Sequence, residues 1–340
     1  MLPMRHHQCW STGDALRVMR ARGVIAAAAL AACSSTGPDE DTDTGALEAI
    51  TPVSQCAAES VDVSAIREAR NVTYATRAGQ PLQFDISWSE GRSPAPLVLL
   101  LHGGGWATGT RTHLAAEVRA FARLGYTAAT VQYRLTQGGR NEFPAAIIDV
   151  RCALRELRRR ATEYNIAPER VVAMGYSAGG HLASLLGTGA DVPGLDGLCG
   201  DTPAGVGSDD VSVQAVVSYA GPQDLRVSGP YTAEQAALVT NFLGVFPGDD
   251  PVTATLASPI AHVSAGDPPF LMIHGTDDDL VPVDQSRRMA AALRQVLAPA
   301  SVIELRGVGH GFVGLSSSDV GLVRCTVNAF LTRWLGQPIG

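Results

Sequence analysis

Ser177 lies in Gly175-Tyr176-Ser177-Ala178-Gly179, a spacing that suits a nucleophile. The apolar run Val171–Met174 precedes it, and a helical stretch opens at Ala178. A serine on so tight a strand-to-helix turn is lifted clear of the strand ends, and larger residues at the flanking glycines would strike neighbouring backbone. The helix N-terminus also favours the negative charge that develops during attack. Five-residue patterns of this kind are common, so the weight rests on what else the chain offers.

His102-Gly103-Gly104-Gly105-Trp106 follows the aliphatic run Leu97–Leu101. Three consecutive glycines let the backbone turn sharply and aim bare N–H groups inward. Acyl transfer needs such donors where the tetrahedral oxyanion forms, each worth about 3–4 kcal/mol. Gly104, Gly105 and the amide of Ala178 are the candidates. A phosphate cradle is excluded: Gly104 and Gly109 have its spacing, but Thr110-Arg111 stand where Lys-Ser/Thr is required.

A general base should come late in the chain, and Gly307-Val308-Gly309-His310-Gly311-Phe312 directly follows Ile303-Glu304-Leu305. The small residues around His310 would let its imidazole approach Ser177. His181, one turn into the helix after Ser177, is the competing histidine, and its position suits packing rather than proton transfer. An acid must accept the imidazole Nδ1–H and stabilise the imidazolium. His274-Gly275-Thr276-Asp277-Asp278-Asp279-Leu280-Val281-Pro282 offers three consecutive aspartates, and the residues alone leave the choice open. The plainer reading of that run is a solvated or cation-binding loop.

These groups need a scaffold that brings distant loops together. Strand-like segments fall at Asn71–Thr76, Pro81–Ser89, Leu97–Leu101, Thr127–Tyr133, Val171–Met174, Val213–Tyr219, Pro269–His274 and Ser301–Leu305. Helical spacing falls at Phe143–Tyr164, Ala178–Gly187, Thr232–Leu243, Asp284–Leu297 and Ser318–Leu335. Strands alternating with helices predict a mainly parallel eight-stranded sheet with helices on both faces. The Gly-, Asp- and Pro-rich stretch Asp191–Asp210 is expected as a loop over the sheet's carboxyl edge.

Of the 340 residues, 46% are hydrophobic and only 17% charged, the composition of a well-cored protein. A formal charge of −7 argues against a nucleic-acid partner. All 26 basic side chains are arginine, which excludes a Ser-Lys dyad, a Schiff-base lysine and a phosphate-loop lysine. Arg17, Arg20 and Arg22 precede the apolar run Val24–Ala32, which ends in Leu30-Ala31-Ala32-Cys33. This predicts a signal peptide over 1–32, with Met19 as an alternative start. The ending resembles a bacterial lipobox, which would make Cys33 the lipid anchor of an exported cell-envelope lipoprotein; the alternative is a plainly secreted protein. The acidic stretch Ser34–Gly45 reads as part of a linker over 33–59, ahead of a catalytic domain over 60–338. Cys56, Cys152, Cys199 and Cys325 are compatible with two disulfides in three possible pairings, or with four buried thiols. None has Cys-x-x-Cys spacing, so no metal site is expected.

Together, His102–Trp106, Phe143-Pro144-Ala145, Gly175–Gly180 with His181-Leu182-Ala183, Ala257-Ser258-Pro259, Pro268-Pro269-Phe270, His274–Pro282 and Gly309-His310-Gly311 resemble bacterial carboxylesterases of the α/β-hydrolase superfamily. The nearest likeness is to the feruloyl- and acetyl-esterase-like group related to hormone-sensitive lipase, over roughly residues 70 to 335. The resemblance implies the α/β-hydrolase fold and the chain order Ser177, Asp278, His310. It places the acid four residues after the histidine of His-Gly-x-x-Asp, at Asp278, and oxyanion donors at Gly104 and Gly105. One departure is that only about 25 residues separate the linker from the first strand, so a long N-terminal cap is missing. A small or absent cap and an open acyl pocket, lined by 191–210 and 222–262, are expected.

The function so implied is hydrolysis of short acyl esters, acetyl or phenolic, through an acyl-enzyme and without a cofactor. The substrate would be a small molecule or an ester borne on a polysaccharide, and membrane contact would be through the lipid anchor alone. A serine peptidase or amidase of the same fold is the rival within the class, although the N-terminal propeller of such peptidases is missing. A non-catalytic binding protein on this fold is the rival outside it.

Overall fold

In the computed structural model, residues 66–90, 93–200, 210–226 and 232–338 are described. The expected leader, Cys33, the linker and Cys56 lie outside them. Among the described residues, eight strands form one sheet: β1 (Ile66–Arg77), β2 (Gln80–Ser89), β3 (Ala95–Leu101), β4 (Thr127–Val131), β5 (Ile166–Tyr176), β6 (Ala215–Tyr219), β7 (Phe270–Gly275) and β8 (Ala300–Leu305). Their spatial order is β1-β2-β4-β3-β5-β6-β7-β8. The pairs β1–β2 and β2–β4 are antiparallel, and the rest are parallel. Every parallel strand therefore delivers its following loop to the same edge.

Central β3 shows why the sheet must be covered twice. Leu97, Leu99 and Leu101 join one core with Leu154, Leu182 and Met289, whereas Val98 and Leu100 join a second core with Val118, Val327 and Leu331. Alternation along the strand sends successive side chains to opposite faces. The first core is closed by α2 (Ala145–Arg159), α3 (Ala178–Thr188) and α6 (Asp284–Gln295), and the second by α1 (Ala115–Arg123) and α7 (Ser317–Leu335). Between β6 and β7 lie α4 (Ala233–Leu243) and the short α5 (Pro251–Leu256). This insertion is the small cap. Among the described residues, no helix is long and apolar enough to cross a membrane.

Three expectations need correction. Helix α1 has no counterpart in the sequence reading. Its buried face is short, Val118 and Ala122 beside Glu117, and the Leu114 cap makes no side-chain hydrogen bond. Next, α2 stops at Arg159 and β5 starts at Ile166, five residues before the apolar run that marked it. Finally, the described part of 191–210 does not lie over the carboxyl edge. It leaves the far end of α3 and runs along α2, held by the Cys152–Cys199 disulfide and by the Arg155–Asp196 ion pair at 2.7 Å. It therefore lines no acyl pocket. Cys325 is also disulfide-bonded.

Candidate active site

Ser177 occupies the turn between β5 and α3 with φ 51° and ψ −117°. Such a conformation costs a non-glycine residue about 1–3 kcal/mol and persists only where its surroundings enforce it. Here the Ser177 amide donates to the Tyr219 carbonyl at 2.8 Å, and the Ser177 carbonyl accepts from the His181 amide at 2.9 Å. The flanking glycines are needed because the backbones touch. A Cβ on Gly179 would run into the Leu101 carbonyl, and one on Gly175 into the Gly179 peptide.

His310 and Asp278 reach this serine from the loops after β8 and β7. His310 Nε2 lies 3.0 Å from Ser177 Oγ, and His310 Nδ1 lies 2.7 Å from Asp278 Oδ2. With Nδ1–H donating to the carboxylate, Nε2 is left free to accept the serine proton. Among the three aspartates only Asp278 is buried, at 7% exposure, while Asp277 and Asp279 face solvent. Burial pushes the Asp278 carboxyl up, but hydrogen bonds from His274, His310 and the Val281 amide outweigh it and hold the group well below the usual carboxylate range. Its Oδ1 accepts from the Leu280 and Val281 amides at 3.0 and 2.8 Å. The His310 loop is pinned from below by Phe312, edge-on to Tyr176 and Tyr219 at 6.4 and 5.8 Å.

The loop after β3 supplies the remaining candidates. Gly104 has φ 122°, closed to other residues, and its carbonyl accepts from the Ala107 and Thr108 amides and from Thr108 Oγ1. The amides of Gly104, Gly105 and Ala178 have no partner within the described residues, which leaves them free to meet an anion at Ser177. His102 anchors this loop. It stacks on Tyr133 at 4.3 Å, its Nδ1–H donates to the Gly103 carbonyl at 2.8 Å, and burial lowers its pKa to about 4. From above, Leu238 of α4 closes on Gly105: a Cβ there would stand 2.9 Å from Leu238 Cδ2.

Two further histidines take roles that the sequence reading did not foresee in full. His181 is wholly buried, and burial lowers its pKa to about 4. Its Nε2–H donates to the Ala257 carbonyl at 2.7 Å and its Nδ1 accepts from the Trp106 indole at 3.2 Å. It thereby ties α3, the glycine loop and the cap together. His274, which opens the His-Gly-x-x-Asp pattern, directs Nε2–H at the Val281 carbonyl (2.7 Å) and at Asp278 Oδ2 (3.2 Å). Ser286 donates to its Nδ1 at 2.8 Å. The histidine in His-Gly-x-x-Asp was the available signal for this contact. Among the described residues, no cluster of His, Cys, Asp or Glu could hold a metal.

A mainly parallel sheet in this order, a serine on the β5–α3 turn, and an acid and a histidine on the β7 and β8 loops define an α/β-hydrolase. The BD-FAE family profile matches residues 84–293, and the chain belongs to that family. Curated relatives include the probable carboxylic ester hydrolase LipM of Mycobacterium tuberculosis, 33% identical over 249 residues (70% of this chain, 54% of LipM). Esterase LipC of the same organism is 32% identical over 246 residues (71% of this chain, 59% of LipC). The chain thus spans a little over half the length of these relatives. Among solved structures, a truncated carbohydrate esterase from gut microbiota superposes with a TM-score of 0.66 at 25% identity, covering 82% of this chain and 98% of that one. A bifunctional GH43-CE protein of Bacteroides eggerthii gives 0.68 at 28% identity, covering 79% and 38%.

Proposed function

We propose that this protein is a carboxylic ester hydrolase that works through an acyl-enzyme on Ser177. The observation that carries the reading is the hydrogen-bonded chain from Ser177 Oγ through His310 to Asp278, with links of 3.0 and 2.7 Å. Ser177 Oγ attacks the ester carbonyl while its proton passes to His310 Nε2. Asp278 keeps the imidazole in the right tautomer and stabilises its charge. The amides of Gly104, Gly105 and Ala178 hold the oxyanion. Collapse of the tetrahedral adduct expels the alcohol, which takes the proton from His310. Water, deprotonated by His310, then releases the acid and restores Ser177.

Short acyl groups are the ones we assign, and the support is that Leu238 crowds Gly105, one of the proposed oxyanion donors. The names of the relatives, an ester hydrolase and a carbohydrate esterase among them, favour esters over amides. Acetyl or phenolic esters, free or borne on a polysaccharide, are the substrates we assign. We further assign the protein to the cell envelope, tethered through Cys33. The Cys152–Cys199 disulfide supports an oxidising compartment.

Substituting Ser177→Ala and assaying p-nitrophenyl acetate tests the core of this reading. The expected loss in kcat is on the order of 10⁴-fold or more. Undiminished turnover would remove Ser177 from the mechanism.

A further inference from the structure

Behind the His310 loop, on the face of the sheet covered by α1 and α7, lies a chamber of about 130 Å³. Its walls are Phe121, Tyr176, Tyr219, Phe312 and Val327, and neither Ser177 nor His310 reaches it. Tyr176 and Tyr219 are stacked at 4.5 Å, with Phe312 edge-on to both. Into this apolar space the first turn of α1 brings a carboxyl group. Glu117 is only 5% exposed, and its Oε2 has no hydrogen-bond partner. A buried acceptor left unpaired is costly, and nearly all such groups find a partner.

The dimensions and chemistry of the chamber narrow what could fill it. An apolar cavity of about 150 Å³ accommodates a benzene ring, so this chamber has room for one six-membered ring and little more. Aromatic walls favour an aromatic occupant through offset and edge-to-face contacts. The single unpaired oxygen calls for one donor. Burial raises the Glu117 pKa, and the guanidinium-bearing Arg324 lines the same chamber. A second cation beside Arg324 is disfavoured, so the donor is a neutral hydroxyl.

We propose that this chamber is a second small-molecule site, which takes a monocyclic phenol with its ring against Tyr176, Tyr219 and Phe312 and its hydroxyl on Glu117. The site is separate from the ester-hydrolysing centre, and binding here is read without any turnover.

The test uses ligand-observed NMR titrations of phenol, toluene and benzylamine against the full chain and two variants. Glu117→Leu removes the acceptor and keeps the volume apolar, whereas Ala120→Phe fills the space. Phenol is expected to bind the parent protein saturably and more tightly than benzylamine. Glu117→Leu should lower the phenol-to-toluene affinity ratio about tenfold or more, since the hydroxyl loses the buried carboxyl acceptor that the proposal assigns to it. Ala120→Phe should abolish binding of both neutral rings. A ratio unchanged by Glu117→Leu would overturn the proposal. So would phenol binding that survives Ala120→Phe, absence of saturable binding in the parent, or a preference for benzylamine. Should Ala120→Phe fail to unfold cooperatively, the Glu117→Leu ratio decides alone.

Discussion

Acid should weaken this fold well before its carboxylates are protonated, because two buried histidines must stay neutral. His102 and His181 are 2% and 0% exposed, and burial lowers the pKa of each from 6.5 to about 4. Both pKa values are depressed in the folded state. The stability they carry is therefore full above pH 6.5 and is lost as the pH falls toward 4. At pH 5 the unfolded chain protonates each imidazole almost completely while the folded chain resists. The difference is about 2 kcal/mol per histidine, or about 4 kcal/mol for the pair, a large part of a typical 5–15 kcal/mol. Asp278 adds nothing at pH 5, since even its unshifted pKa of 3.8 lies lower. Glu117 and Asp149, which burial raises, act in the opposite sense, so the raw slope is not the right measure. His181→Gln isolates the effect, because its amide can donate to the Ala257 carbonyl and accept from Trp106 without titrating. Urea unfolding at pH 7 and pH 5, followed by tryptophan fluorescence, should show a loss smaller by about 2 kcal/mol in the variant than in the parent. Identical losses in the two proteins would refute the argument that a neutral His181 holds these elements together.

Asp278→Asn should lower kcat on p-nitrophenyl acetate on the order of 10⁴-fold, by analogy with loss of the orienting acid elsewhere. Asp277→Asn and Asp279→Asn, whose side chains face solvent, should leave it within about twofold of the parent. Removing the Cys152–Cys199 bridge as a double serine variant opens a loop with a sequence separation of 47. Chain-entropy arguments set the cost at about 4 kcal/mol, measured by urea unfolding, with native-state turnover unchanged. Leu238→Ala should raise kcat/KM on the butyrate ester relative to the acetate by roughly tenfold. An unaltered ratio would place the acyl chain elsewhere.

The sheet was legible wherever a strand is buried on both faces, because such strands read as unbroken apolar runs; Leu97–Leu101 is the clearest. Helix α1 was not, since in nine residues it buries only Val118 and Ala122 as apolar side chains and a charged-type residue, Glu117, beside them. The course of 191–200 was illegible for a different reason: the Cys152–Cys199 pairing and the Asp196 ion pair that fix it are long-range, and four cysteines leave three pairings open. In the site, Ser177 and the glycine loop announced themselves through local backbone requirements. The acid among three aspartates needed the spacing from His274, and nothing local says that Asp278 alone turns inward. His181 could be set aside from proton transfer, but its two partners lie 75 and 76 positions away along the chain.

One residue type serves two opposed purposes around Ser177, and burial separates them. The reaction requires His310 to take up a proton and give it back, and its side chain retains 19% exposure with a carboxylate behind it. His102 and His181 have no carboxylate partner and are buried, so the same protonation would leave a cation with nothing to stabilise it. His102 holds the glycine loop after β3, and His181 joins Trp106 of that loop to Ala257 of the cap, so the relative placement of these segments depends on those neutral rings. Restoring one of them to solvent, for instance by trimming Tyr133 to Ala beside His102, should disturb the Gly104 and Gly105 amides before it disturbs the Ser177–His310 contact. That order is measurable as a larger fall in kcat than in the rate of phosphonylation by a small, uncharged organophosphonate scaled to its own oxyanion demand. Equal falls would mean that the glycine loop and the Ser177–His310 pair move as one unit.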